Sequence, residues 1–390
     1  MLQGICTYGI SFLISILGAR LIEKRNHLTR NKVVYAILIL LVVLPPSLLA
    51  GIRAETVGVD TMGYMVQYKE AFSHKDFKTI YALFGGGTEL VIALLVYLLS
   101  LLNVSITGYL FIIQLLTVIP VLNLAIKMRQ KVPVSWIVAC YLFLFYNNSL
   151  NLARQSLSAA WLTLMAANLI CNGNKLKGKT LSIILPGIIG TLMHKAGIIG
   201  LILITFCCFR ERSKVREIEL YILLVFAIVF SGRIIGILTE WGVINRGLTV
   251  YSDLFITHTR HTNYLINPFG KYGIPDVLIR LLLFVLPVLF MNSYAKREKL
   301  YRTLKSIVLM GFGIFTVVLF ALSTNYGQRI SMYLDWMLII FIPYGIYNSN
   351  IFPRKLYLYA ILVTYWLVWI FAFGWSASAN YAINPDLFTL

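Results

Sequence analysis

Long apolar runs alternating with short polar stretches organise the chain from end to end. A membrane-spanning helix needs about 20 apolar residues, and runs of that kind lie at about 2–19, 33–51, 88–102, 105–126, 133–150, 155–171, 180–209, 218–238, 276–292, 306–323, 331–348 and 356–374. Nothing between them resembles a soluble domain. The pattern predicts one all-α polytopic membrane domain over residues 1–390, with about 10–13 membrane-embedded helices. The first run lacks the basic segment and cleavage site of a signal peptide and is expected to persist as a membrane helix.

Composition agrees: 59% of the 390 residues are hydrophobic and 13% are charged, against about a quarter charged in ordinary soluble domains. The formal net charge of +19 would point to nucleic acid in a soluble protein. Here, however, 22 of the 34 Lys and Arg sit in six clusters between apolar runs: Arg20 to Lys32, Lys127 to Lys131, Lys175 to Lys179, Arg210 to Arg216, Lys296 to Lys305, and Arg354 with Lys355. That is the signature of membrane topology, so no nucleic-acid partner is expected, and the positive-inside rule places all six in the cytoplasm and both termini outside. The five cysteines form no CxxC pair, and no His is spaced for zinc, so neither a disulfide framework nor a metal site is expected.

Two places must depart from simple spanning. Segment 180–209 begins and ends in the cytoplasm, and thirty helical residues reach about 45 Å, too long for one 30 Å crossing and too short for two. A re-entrant pair of short helices meeting near Met193 and His194 resolves this. Segments 88–102 and 105–126 together must cross once, which makes the first a re-entrant or interfacial helix. Two extracytoplasmic loops follow, 52–87 and 239–275. The first is long for a connector; its Gly85-Gly86-Gly87 gives flexibility, yet Tyr64, Tyr68, Phe72, Phe77 and Tyr81 argue against disorder.

One formal match is declined: Gly173 to Thr180 reads GNKLKGKT, a literal G-x-x-x-x-G-K-T. A phosphate-binding loop means something only between a strand and a helix of an α/β domain, and apolar helices flank this one. It reads as a basic cytoplasmic turn.

Three clusters carry chemistry. In AGIRAETVGVDTMGY, Arg53 either binds an anion or caps the carbonyl end of the preceding helix, and Asp60 is either functional or a turn residue or helix N-cap. In NSLNLARQSLSAAWL, Asn151, Arg154 and Gln155 stand at the outer start of an inward-running helix. NYGQRISMYLDWML repeats the arrangement with Asn325, Tyr326 and Arg329. A cation at a helix N-terminus opposes the dipole unless an anion is near, and two such termini with bidentate guanidinium groups would suit phosphate; snorkelling to lipid headgroups is the plainer use. His194 in GTLMHKAGII is embedded between apolar runs, where an ionisable group is either a structural hydrogen-bonder or functional.

The ordered set GIRAETVGVDTMGY, NLARQSLSAA, GTLMHKAGIIGL and NYGQRISMY, spanning Gly51 to Tyr333, resembles the EpsG-like branch of the Wzy-type polysaccharide polymerases. Lys195 and Ala196 depart from the small hydroxyl or apolar residues more usual after the His. The resemblance implies a GT-C-like membrane glycosyltransferase that joins undecaprenyl-diphosphate-linked oligosaccharide repeat units, serving as donor and acceptor, at the outer face of the bacterial cytoplasmic membrane. Membrane lipids and a chain-length regulator are its expected partners, with neither cofactor nor metal. On this reading His194 and Asp60 are catalytic, with His194 preferred as base because an imidazole is better matched to neutral pH. Arg154, Arg329 and Arg53 bind diphosphate; Tyr64, Gln155, Asn151, Tyr326 and Arg260 contact acceptor or sugar. The alternatives are a glycan ligase using the same donor and a transporter or flippase of lipid-linked sugars.

Overall fold

The computed structural model describes residues 2–24, 31–58, 60–84, 89–172, 180–210, 274–322, 326–368 and 376–387. The run at 218–238, nearly all of the loop 239–275 with Arg260, the glycine run and most of the basic turn at 173–180 lie outside the described residues. Among the described residues the architecture is helical, with two isolated β-bridges.

Helices follow the apolar runs: α1 Leu2–Glu23, α2 Lys32–Ile52, α3 Thr61–His74, α4 Phe77–Leu83, α5 Leu90–Leu101, α6 Ile106–Met128, α7 Val134–Leu144, α8 Tyr146–Asn151 and α9 Ala153–Asn172. They continue with α10 Thr180–Met193, α11 Gly197–Arg210, α12 Ile274–Leu289, α13 Ser293–Arg297, α14 Lys299–Leu322, α15 Tyr326–Asp335, α16 Leu338–Tyr347, α17 Arg354–Leu367 and α18 Ser376–Ala379. Short polar side chains set several starts by accepting from free backbone N–H groups: Asn31 from Val33 at 2.9 Å, Ser105 from Gly108 at 3.2 Å, and Asp76 from Lys78 and Thr79. Among the described residues, α1, α2, α6 and the run Arg329–Tyr347 are long and apolar enough to cross a membrane.

Two runs are broken where the sequence suggests continuity, and a third where its length calls for a break. Segment 133–150 divides at Phe145, because Asn and Ser on α8 bond their own backbone and compete with a straight helix: Asn151 Nδ2 donates to Asn147 O at 3.0 Å and Ser149 Oγ to Tyr146 O at 2.6 Å. Segment 331–348 turns at Trp336–Met337. Segment 180–209 breaks after Met193, as its length requires, giving two 14-residue helices that pack on each other. α5 has twelve residues, about 18 Å, short of a crossing.

α9 is the hub. It packs against α6, α8, α10, α11, α14 and α15, and it is buried on nearly every face, with the small polar side chains of Ser156, Ser158 and Thr163 among the apolar ones. Loop 52–87 is no loose connector. Tyr64, Tyr68 and Phe72 recur every four residues and place aromatic rings on one stripe of α3. There Tyr68 stacks on Tyr109 of α6 at 4.3 Å between ring centres and donates to Val104 O at 2.7 Å. With Met65, Ile80, Phe84, Ile92, Val96 and Leu157 these rings form a second, smaller core that seats α3 and α4 on α5, α6 and α9. The start of the same loop is tied to the far end of the chain: Ala54 N donates to Ala382 O and Asn384 N to Ile52 O, both at 2.8 Å, around a bridge between Arg53 and Ile383.

Candidate active site

A cavity of about 310 Å³ opens where α3, the start of α9, the α10–α11 turn and α15 meet, lined by Asp60, Gln67, Arg154, Gln155, His194 and Arg329 among others. Five of these, separated by up to 269 positions in sequence, are residues the sequence singles out; the fold brings them together. Tyr64 also lines it.

Asp60 stands at the N-cap of α3 but makes no capping hydrogen bond, so its carboxylate is free to face the cavity rather than the helix. The residue before the turn requires a glycine: Gly58 has φ of +100°, and a Cβ there would lie 2.7 Å from Thr61 Oγ1. Asp60 is half-buried and held at the start of the docked α3. Burial raises its pKa above the ordinary carboxylate value, opposed by Arg329 and Arg154.

Arg154 meets its anion inside the protein. Its Nη1 lies 2.7 Å from Glu89 Oε2, and its guanidinium sits over the rings of Tyr64 and Phe84 at 5.6 and 5.5 Å. Glu89 is 5% exposed and its other oxygen accepts from Lys195 N at 3.3 Å. One carboxylate therefore joins the start of α9 to the α10–α11 turn. Sequence reasoning passes over Glu89 because it opens an apolar run, yet a lone carboxylate at the start of such a run was the available signal.

His194 occupies that turn. Its Nδ1 is 2.9 Å from Tyr333 Oη and accepts from Ala196 N at 3.3 Å. An amide N–H can only donate, so Nδ1 is the acceptor and the neutral ring carries its proton on Nε2. Tyr333 is held by close packing: a Cβ on Gly200 of α11 would lie 2.6 Å from its ring. Gln155 Nε2 donates to Arg329 O and thereby fixes the backbone of α15 against α9. The Arg329 side chain is exposed at the rim, within electrostatic reach of Asp60.

Arg53 and Asn151 are not part of the lining. Arg53, 2% exposed, donates to Ala50 O at 2.7 Å, Leu150 O at 3.3 Å and Thr61 Oγ1 at 3.3 Å. It caps α2 and braces the Asp60 turn from behind. Asn151 is buried, with its carbonyl accepting from Tyr64 Oη at 3.0 Å. Tyr326 begins α15, with its side chain outside the described set, as is Arg260. Gln67, one turn beyond Tyr64, joins the lining unannounced by the sequence reading; its Oε1 and the Nε of Arg154 are buried with no hydrogen-bond partner. Among the described residues no three His, Cys, Asp or Glu converge to hold a metal ion.

A family model for the EpsG family matches residues 36–388, nearly the whole chain and every wall of this cavity. The chain belongs to the EpsG family. Comparison with curated proteins and with solved structures gave no match. EpsG is a Wzy-like polysaccharide polymerase family, and the apolar helices agree with a membrane-embedded polymerase. In this EpsG-family chain the polar cavity combines two arginines, a raised carboxylate and a neutral imidazole in a helical bundle, a set suited to transferring a group from an anionic leaving group.

Proposed function

We propose that this protein elongates polysaccharide by joining lipid-diphosphate-linked oligosaccharide repeat units, undecaprenyl diphosphate being the carrier, at the extracytoplasmic face of the cytoplasmic membrane. The observation that carries the reading is the convergence of Asp60, Arg154, His194 and Arg329 on one cavity. The acceptor hydroxyl oxygen attacks the anomeric carbon of the donor, the new glycosidic bond forms, the bond to the diphosphate oxygen breaks, and the hydroxyl proton passes to a base. Asp60 is that base, in place of His194: its carboxylate is unclaimed by capping, and partial burial strengthens it. His194 has committed Nδ1 to acceptance, so Nε2–H serves as a neutral donor to substrate oxygen. Arg329 stabilises the departing diphosphate, and Arg154, pinned by Glu89, supplies a second donor edge. The bound ion pair leaves Arg329 the cation whose charge is most available to the donor.

The positive-inside partition puts this cavity outside, with α5 and the α10–α11 pair dipping into the membrane without crossing it. The test is purified protein in liposomes with lipid-linked repeat units. Longer glycan chains on the carrier are expected; transfer to a different acceptor means a ligase, and translocation without elongation means a transporter. Either of those outcomes overturns the proposal.

A further inference from the structure

A route of changing polarity leads away from the polar cavity. Leu152, at the α8–α9 junction, lines both that cavity and a narrow cleft of about 30 Å³ between α7–α8, α12, α15 and α17. The cleft holds a partly buried ion pair, Arg280 with Asp335, in which Ser331 Oγ also donates to Asp335 Oδ2 at 2.9 Å. Leu283 and Tyr365 then line both the cleft and an apolar groove of about 430 Å³ formed by α12 and α17. The far end of that groove is closed by Tyr357, whose Oη donates to Leu286 O at 3.2 Å. From Tyr365 to Tyr357 the helix rises about 12 Å.

Polar cavity, cleft with a neutralised charge pair, and greasy groove follow one another in the order of an amphiphile's head, neck and tail. We propose that the α12–α17 groove holds the first isoprene units of the polyprenyl carrier, so that the diphosphate is presented to Arg154 and Arg329 with its tail already aligned. This rests on the polymerase reading for the identity of the carrier. The groove wall is mostly apolar, as a hydrocarbon chain requires, and the hydroxyl of Tyr357 at its end is already spent on Leu286 O, so it would not be left unsatisfied against the chain. Its direction is set by the shared residues: a tail entering at Leu283 and Tyr365 leaves its anionic end beside the cleft and Leu152. A phospholipid brings two acyl chains from one glycerol, whereas a polyprenyl carrier brings a single chain, the number that one groove accommodates.

The experiment uses the full chain in phospholipid nanodiscs with a polyprenyl diphosphate that carries a diazirine in its first isoprene units. Labelling is expected on 279–286 and 357–368, competed by unlabelled polyprenyl diphosphate and not by excess phospholipid. Ala360 and Thr364 are exposed on the groove side of α17, so Ala360→Trp or Thr364→Trp fills the groove without entering the core. Each should lower labelling at least fivefold and raise KM for the long-tailed donor, while a donor with a tail too short to reach the groove is elongated as by wild type. Labelling elsewhere, competition by ordinary phospholipid, or full labelling of both Trp variants overturns the groove assignment. These outcomes are separable from failure of the polymerase reading: competed labelling in a protein that never elongates upholds the groove and removes the reaction, and elongation without groove labelling does the reverse.

Discussion

Removing the carboxylate of Glu89 tests the site's framework most directly. In Glu89→Ala the Arg154 guanidinium loses its anion and Lys195 N loses an acceptor. Breaking a fully buried pair by deleting one partner costs about 3–5 kcal/mol; Arg154 keeps 21% of its side chain exposed and stacks on two rings, so about 2–3 kcal/mol is expected here. Glu89→Gln keeps one acceptor oxygen, turns an NH2 that can only donate toward the other partner, and exchanges a charge-assisted bond for a neutral one, a loss of about 1–2 kcal/mol. Equilibrium unfolding in mixed micelles, run as a double-mutant cycle with Arg154→Ala, isolates the pair. A coupling of about 1–3 kcal/mol is expected, with elongation falling in the order wild type, Gln, Ala. Additivity within about 0.5 kcal/mol, or an Ala variant as stable as the Gln variant, would refute the bridging role.

Three further outcomes follow from the same geometry. Because burial raises the Asp60 pKa and Arg329 opposes that rise, elongation should fail as pH drops through a value above about 4, and in Arg329→Ala the residual activity should lose its acid limb at still higher pH; an unshifted limb in the pH profile contradicts Asp60 as base. Tyr333→Phe removes the hydroxyl partner of His194 Nδ1 but leaves Ala196 N–H, so kcat should drop by about tenfold or less, in line with a hydrogen bond of about 1 kcal/mol, and His194→Gln should retain more turnover than Asp60→Asn at equal abundance. Gly200→Ala forces a methyl group into the Tyr333 ring and should reduce elongation more than it reduces the amount of folded protein, measured by detergent size-exclusion chromatography.

The helices were legible because each apolar run is long and its ends carry recognisable caps, such as Asn31 and Ser105. The break at His194 was legible for a geometrical reason, since thirty residues fit neither one crossing nor two. The break at Phe145 was not: Asn147, Ser149 and Asn151 look like ordinary polar residues until their bonds to nearby carbonyls are seen. In the site, Asp60, Arg154, His194 and Arg329 announced themselves as ionisable groups beside apolar runs. Glu89 did not, because its role depends on two partners 65 and 106 positions away. Arg53 shows the converse, an arginine conspicuous in sequence whose donors are taken by carbonyls that no local pattern reveals.

The bridge between Arg53 and Ile383 also has a consequence for the order in which the protein is made. The strand-like pairing that steadies the Asp60 turn uses backbone some 330 residues further along the chain, and at about 5–20 residues per second a ribosome needs roughly 15 to 65 s to supply it. Through that interval the early helices can insert and pack while the turn bearing Asp60 lacks this support. Nascent or prematurely terminated chains therefore hold the Asp60 turn without this brace, which arrives only with the segment around Ile383.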